Sequence, residues 1–151
     1  GNHSYFHDNL LMLKTTRTLE QDIRLTQQVL ARAGVRPLFF RPPVGISNSK
    51  LGAVLNRQGL RALTFSCRIF DRGNRNVRHL AAKVLQRIRP GDILLLHDCP
   101  PEKGATAYWL DELDHLFQVF EQRQLVVPLE ELIGQPVMTA ANEPGNGALP
   151  I

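Results

Sequence analysis

The sequence has few cysteines and no long hydrophobic run. Its 151 residues include only Cys67 and Cys99, which could pair in an oxidising compartment or remain thiols, so they do not identify the compartment. No apolar stretch approaches the ~20 residues of a membrane-spanning helix, which excludes a span in this sequence. The sequence starts without a signal peptide and without Met, inside an apparent motif. We therefore expect the usual N-terminal targeting segments to lie outside it.

The composition is that of one globular domain or part of one, with 43% hydrophobic and 21% charged residues. The net charge of +4 is modest, but basic residues are concentrated in one short segment. Such a segment can attract an anionic polymer or a phosphate, or it can form a solvated helix face, and the sequence leaves both open. Its members are Arg68, Arg72, Arg75, Arg78, Lys83, Arg87 and Arg89.

The apolar run at residues 93–96 follows a Pro90-Gly91 turn and ends in His97 and Asp98. Four apolar residues without alternation predict a strand that is buried on both faces, as in a parallel sheet. Titratable residues at the carboxyl end of such a strand lie where α/β folds place their chemistry. Alternatively, His97 merely caps the strand and bonds to a neighbouring loop.

Strands and helices alternate along the chain. The strands end at residues 40, 65, 96 and 127, about 25 to 31 residues apart, which predicts βαβ units and a parallel sheet. Because four strands alone would leave an apolar edge unpaired, we expect further strands upstream of Gly1. Residues 134–151 lack periodicity and predict a C-terminal tail to a domain at 1–133. The helices are expected to start at a Thr18–Gln21 capping box, at residues 47–49, near Val77 and near Trp109.

Polar residues follow three of the predicted strands: Arg41, Asp71 and His97. The carboxyl ends of parallel strands meet at one rim, so we expect these side chains to share a cleft. His3 and His7 are four residues apart, and a helical turn would place both on one face, where they could hold a metal ion. On the residues alone, two histidines are a weak metal signal, and an accidental pair is the favoured alternative. His79 and His115 lie opposite their helices' apolar faces and are excluded as ligands.

Three motifs resemble those of the NodB-type polysaccharide deacetylases, carbohydrate esterase family 4. Gly-Asn-His-Ser-Tyr-Phe-His at residues 1–7 is similar to the metal-binding motif of that family, which is close to His-Ser/Thr-x-x-x-His. Arg-Pro-Pro-Val-Gly at 41–45 resembles the Arg-x-Pro-x-Gly motif, and Ile-Leu-Leu-Leu-His-Asp at 93–98 resembles the Leu-x-His motif. Their order and spacing agree with the family across residues 1–133.

The resemblance implies a distorted (β/α) barrel, here a partial one with parallel strands whose N-terminal strands are missing. It also implies a divalent metal bound by His3, His7 and an aspartate. Zinc is the expected ion, and cobalt or nickel are the alternatives. The metal would polarise the acetyl carbonyl and activate water. The family's aspartate ligand and its base belong to a Thr-Phe-Asp-Asp motif, which is absent from this sequence.

The resemblance further assigns roles to individual residues. His97 would be the general acid, Asp71 would orient it, and Arg41 would hold the missing base. The family commonly has an aromatic residue in place of Val44 and Trp in place of Arg72. The loss of that Trp removes a wall of the acetyl pocket or of the sugar groove, which Phe65 or Phe70 would have to replace. Arg72 would then meet a negatively charged substrate. The expected substrate-binding residues are Pro43, Val44, whose backbone N–H would hold the oxyanion, and Leu95, which would line the acetyl pocket.

The function implied by the resemblance is that of a metal-dependent hydrolase that removes an N- or O-acetyl group from a polysaccharide or amino sugar. The alternatives are a catalytically impaired glycan-binding module, and a deformylase or deacetylase of a lipid-linked sugar. The expected partner is an acetylated glycan, not nucleic acid, at the cell envelope or outside the cell. For the sequence as printed, without a third ligand and a base, we expect little or no activity.

Overall fold

The computed structural model describes residues 1–71, 73–101 and 104–141. They form two compact units: a first unit, Gly1–Thr64 with the chain from Ile133 onward, and a second unit, Phe65–Leu132. No helix among these residues combines the length and the apolar composition that a bilayer crossing requires.

Two helices organise the first unit: α1 (Thr16–Arg32) and α2 (Ser49–Arg57), with short 3-10 turns at Leu11–Leu13 and Pro43–Gly45. The cap predicted at Thr18 is wrong, because the side-chain oxygen of Thr15 accepts the N–H of Thr18 and the helix starts earlier. The cap of α2 is Asn48, one of the three expected residues, whose side chain accepts the N–H groups of Lys50 and Leu51.

The second unit contains α3 (Leu80–Arg87) and α4 (Thr106–Gln122), and α5 (Leu129–Ile133) follows them. Six short strands complete the described elements. In the first unit β2 and β3 pair in parallel, while β1 and β6 pair antiparallel; in the second unit β4 and β5 pair in parallel. Their bounds are β1 Val35–Pro37, β2 Phe39–Phe40, β3 Arg61–Ala62, β4 Cys67–Arg68, β5 Leu94–Leu95 and β6 Met138–Ala140.

Each unit has its own hydrophobic core. Most apolar residues on the predicted helix faces are buried. Val29, Leu110 and Phe117 are exposed, so the buried face of each of these helices is narrower than expected. The core of the first unit includes Leu19, Ile23, Phe40, Leu51 and Val54. The core of the second unit includes Leu80, Val84, Trp109, Leu116 and Phe120.

Three expectations about strands need correction. The strand expected at 124–129 is absent: Leu125, Val126 and Val127 are exposed coil, and Leu129 starts α5. The apolar run at 93–96 is only half-buried, not covered on both faces. Part of the expected irregular tail is ordered, because Met138–Ala140 form β6 on β1; residues 142–151 lie outside the described part of the chain.

Candidate active site

A first group of candidate residues, in the first unit, is the loop that carries His3 and His7. Nε2 of one imidazole lies 3.2 Å from Nε2 of the other, and the ring centroids are 4.9 Å apart. The expected helical turn is not formed. Instead, left-handed backbone at Ser4 (φ 70°) and His7 (φ 50°) folds the loop back on itself and turns the two rings toward each other.

Two buried polar residues hold this loop in place. Asn2 is fully buried: its side chain donates to the carbonyl of Ile23 and accepts the N–H of Ser4, and its backbone forms a bridge to Phe40. Asp22 on α1 accepts the N–H groups of the two residues between Ser4 and His7, at 2.9 and 3.2 Å. The histidine loop is therefore fixed to both a helix and a strand.

The tautomer of His3 follows from its contact with the backbone of Arg41. His3 Nδ1 lies 2.7 Å from the carbonyl oxygen of Arg41 and must donate to it, which leaves Nε2 with a free lone pair in the neutral ring. Desolvation lowers the pKa of His3 and outweighs the opposing effect of that bond. The neutral, metal-binding form of His3 therefore persists to lower pH than in an ordinary histidine.

The geometry of the two imidazoles fits a shared metal ion. Two nitrogens bound to one tetrahedral zinc at ~2.0–2.1 Å lie about 3.3 Å apart, close to the observed 3.2 Å. A backbone carbonyl behind one ligand is the usual support for a metal-bound histidine. Within the described residues, however, no group of three His, Cys, Asp or Glu side chains could hold a metal ion.

The segment from Arg41 to Gly45 passes beside this loop. The N–H of Arg41 donates to the carbonyl of Asn2 at 2.8 Å, and partial burial lowers the pKa of its guanidinium. None of the described carboxylates lies within 4.0 Å of that guanidinium. Pro43 is buried, whereas Val44 is 44% exposed and has left-handed backbone (φ 52°), a strained conformation for a β-branched residue.

A second group of candidate residues, in the second unit, is the pair formed by His97 and Asp71. His97 Nδ1 lies 2.8 Å from Oδ2 of Asp71, which is 4% exposed. A carboxylate that accepts from Nδ1 orients the ring and leaves Nε2 to exchange a proton with a substrate. The prediction that Asp71 and His97 lie close together agrees with this geometry; their catalytic roles stay predictions.

A buried side chain, Asn74, holds the backbone at the end of β5. Its Nδ2 donates to the carbonyls of His97 at 3.0 Å and Cys99 at 2.6 Å. Asn74 is 1% exposed and has left-handed backbone (φ 65°). The position of His97 therefore depends on contacts to its side chain and to its main chain. Leu95, the expected pocket residue, is half-buried in β5.

Comparisons with known proteins identify relatives of this chain. The family model for polysaccharide deacetylases matches residues 1–63. A chitooligosaccharide deacetylase of Azorhizobium caulinodans is 34% identical over 110 residues, covering 70% of this chain and 51% of that protein. Over the matched residues the chain is similar to polysaccharide deacetylases. It spans about half the length of that curated relative.

Solved structures of family members share the fold. A family 4 carbohydrate esterase from Streptomyces lividans, in complex with acetate, is 25% identical with a TM-score of 0.71, covering 88% of this chain and 66% of that one. A family 4 acetyl xylan esterase from Clostridium thermocellum, in complex with cobalt, is 27% identical with a TM-score of 0.67, covering 91% and 66%. The predicted α/β fold of the NodB deacetylase type is confirmed.

The polysaccharide deacetylase motifs locate most of the candidate residues but miss their supports. The structure brings His3 and His7 together beside the Arg41 backbone, and separately brings Asp71 and His97 together. Asn2 lies inside the first motif, but its neighbours Gly1, His3 and Ser4 give no sign that it is buried. Asp22 and Asn74 gave no sequence signal, because Asp22 follows a helical pattern and Asn74 lies in a polar loop.

Proposed function

We propose that this protein removes acetyl groups from the amino sugars of a glycan, with His3 and His7 as metal ligands and His97 as the general acid. The observation that carries the proposal is the 3.2 Å separation of the two Nε2 atoms, on a loop fixed by Asn2 and Asp22. Deacetylase relatives of the same family support the reaction class.

His3 and His7 would hold a divalent metal through their Nε2 atoms. When bound, the metal supplies Lewis-acid activation of the acetyl carbonyl and of a water molecule. The carbonyl of Arg41 keeps the proton of His3 on Nδ1, so that no proton has to leave Nε2 when the metal binds. The cobalt complex of the C. thermocellum relative supports a divalent metal, and nitrogen ligands favour zinc, with cobalt or nickel as alternatives.

His97 would protonate the amine as it leaves the acyl group. Asp71 holds Nδ1 of the ring, which would leave Nε2 to meet the leaving group. Pro43 and Val44 would contact the acetyl group, with the backbone N–H of Val44 donating to the oxyanion, and Leu95 would contact the methyl group. Arg41 would pair with the carboxylate that serves as base.

The metal site is tested by titrating the intact protein with Co²⁺ and Zn²⁺, using the cobalt absorption spectrum and calorimetry. We expect one metal ion per chain, and loss of about tenfold or more in affinity in the His3→Ala and His7→Ala variants. His115→Ala, which alters an exposed histidine of α4, is the matched control and should bind as the wild type does. Equal affinity in all four proteins would refute the assignment.

Activity is tested by acetate release from N-acetylated chitooligosaccharides, with formate release from N-formyl glucosamine as a second substrate. His97→Ala should reduce kcat by about 10²-fold or more if it supplies the proton, whereas His115→Ala should not. Metal and glycan binding without turnover in the intact protein would favour the alternative, a glycan-binding module of the same fold. Formate without acetate release would favour a deformylase.

A further inference from the structure

An open cavity of about 620 Å³ in the second unit lies outside the residues assigned above. Three of its lining side chains are cationic, and none of the lining residues is acidic. Within the described part of the chain, no carboxylate lies within 4.0 Å of these cations. The lining residues are Ile69, Phe70, Arg75, Asn76, Lys83 and Arg87.

The positive charge extends beyond this cavity. A neighbouring cavity of about 770 Å³ shares Arg75 and Asn76 and adds Arg78 and His79 to its lining. Tyr108 also lines this second cavity, and its hydroxyl donates to the carboxylate of Glu112 at 2.7 Å, which accepts the N–H of Ala81 at 2.8 Å. The cations that line the first cavity have no described counter-charge within 4.0 Å.

An aromatic ring forms one wall of the first cavity. Phe70 is 59% exposed and has left-handed backbone (φ 55°), which is strained for a bulky residue. The guanidinium of Arg68 packs on this ring, 4.1 Å from its centroid. An exposed ring held in a strained conformation beside free cations offers a sugar-sized ligand both an apolar surface and a charged end.

The cavity is continuous with the loop that orients His97. Phe70 directly precedes Asp71, and the N–H of Asn76 donates to the carbonyl of Asp71 at 2.9 Å. A ligand in the cavity would therefore contact the loop whose carboxylate bonds to His97. This connection gives the cavity a role in binding the substrate of the same reaction.

We propose that Arg75, Lys83 and Arg87 form an anion subsite that binds a phosphate group carried by the glycan substrate, with the sugar against Phe70. The inference rests on the proposed function and specifies its substrate. Two arginine forks and one ammonium suit the three oxygens of a phosphate monoester better than the two oxygens of a carboxylate. No neutral sugar would require three cations with no counter-charge.

The subsite is tested by calorimetry on the intact protein with N-acetylglucosamine 6-phosphate, N-acetylglucosamine and inorganic phosphate. We expect the sugar phosphate to bind about tenfold or more tightly than the neutral sugar, and its affinity to fall as salt is raised. Inorganic phosphate should bind more weakly than the sugar phosphate, because it makes no contact with Phe70. Equal affinity for the two phosphates would reduce the site to a phosphate site without sugar recognition and overturn the proposal.

Variants that neutralise the three cations provide a second test of the subsite. The triple variant R75Q/K83Q/R87Q should lose the preference for the sugar phosphate. The control R17Q/R32Q/R123Q removes the same charge from three exposed positions outside the cavity and should retain it. If both triple variants bind alike, the effect is one of net charge and the subsite is refuted.

Two further measurements distinguish loss of the subsite from misfolding, and failure of the subsite from failure of the proposed function. The variant R75K/R87K keeps the positive charge but loses the bidentate guanidinium groups. It should bind the sugar phosphate more weakly than the wild type and more tightly than the triple variant, which a misfolded protein would not do. Because binding is read without turnover, a wild type that prefers the sugar phosphate but releases no acetate or formate contradicts the proposed function alone. A wild type that deacetylates neutral glycans without any phosphate preference contradicts the subsite alone.

Discussion

At the scale of single residues, backbone strain is concentrated in the loops that carry the candidate site. Among the described non-glycine residues with left-handed φ, most lie beside a proposed ligand, acid or cavity wall. Such conformations cost roughly 1–3 kcal/mol each for residues other than Gly, Asn and Asp, and they persist only where surrounding contacts enforce them. They are Ser4, His7, Val44, Phe70 and Asn74 in these loops, with His79 and Gln124 elsewhere.

Asn74 is predicted to be a positioning residue for His97. Asn74→Ala should destabilise the protein by about 2–4 kcal/mol, because two backbone carbonyls lose their donor, as measured by urea unfolding. The variant should also lower kcat more than it changes KM, since the substrate contacts remain.

Asn74→Gly is the matched control for the backbone, since glycine accepts the left-handed φ without strain. It should reproduce the loss in kcat while costing less stability than Asn74→Ala. A Gly variant with wild-type kcat would show that the amide of Asn74 does not position His97.

The sequence pointed to the candidate residues but not to the residues that support them. Histidines four apart and a histidine at the end of an apolar run are visible as patterns, because chemistry demands particular residue types. Asn74 and Asp22 act through contacts with residues about 20 positions away, and no local pattern records such a contact.

At the scale of elements, a polar network joins the starts of β4 and β5. Ser66 Oγ donates to Oδ1 of Asp92 at 2.6 Å and accepts the N–H of Ile93 at 3.0 Å, while Oδ2 of Asp92 accepts the N–H of Arg89. The bond from Ser66, followed by the bond from the Arg89 N–H, lowers the pKa of Asp92. The turn after α3 is thereby tied to the strand pair that ends near His97.

This network predicts acid sensitivity. Because the folded pKa of Asp92 lies below its ordinary value of 3.8, its contribution to stability is present above that value and is lost as pH falls through the folded pKa. Asp92→Asn should lower the melting temperature at neutral pH and flatten its decline in acid, as followed by calorimetry.

Asp114→Asn, on the exposed side of α4, is the control, and it should leave the acid dependence of the wild type in place. If the melting temperature of Asp92→Asn falls in acid as steeply as that of the wild type, the acid sensitivity belongs to other carboxylates.

Helices were easier to predict than strands. The apolar period of Leu51, Val54 and Leu55 is set by local geometry and matches their burial in α2. Strand length depends on a partner: apolar residues such as Val126 and Val127 had the composition of a strand, yet they have no pairing in the described chain. Sequence propensity therefore overestimated the strands expected at 61–66, 93–96 and 124–129 and missed β6.

At the scale of the whole molecule, the described core residues fall into two clusters with no shared member, one in each unit. The three family motifs indicated the fold class correctly, because each requires a fixed position on the same α/β scaffold. The division into two units was not predictable from periodicity, since it depends on which helices share a core.

Native-state hydrogen exchange should detect the two units as separate cooperative blocks. Leu116→Ala, at a fully buried position of α4, should cost about 2–5 kcal/mol and lower amide protection within residues 65–132. Leu19→Ala is the reciprocal variant and should act on residues 1–64. Uniform loss of protection across the chain in both variants would show a single cooperative block.

The antiparallel pairing of β6 with β1 constrains how expression fragments can be designed. The N–H of Ala141 donates to the carbonyl of Gly34, and Met138 pairs with Pro37. A fragment trimmed at the end of α5 would leave the backbone of Val35 open to strand addition from a second molecule, which invites aggregation. Useful C-terminal boundaries for crystallisation or assay therefore lie after Ala141, even though the motifs end at residue 98.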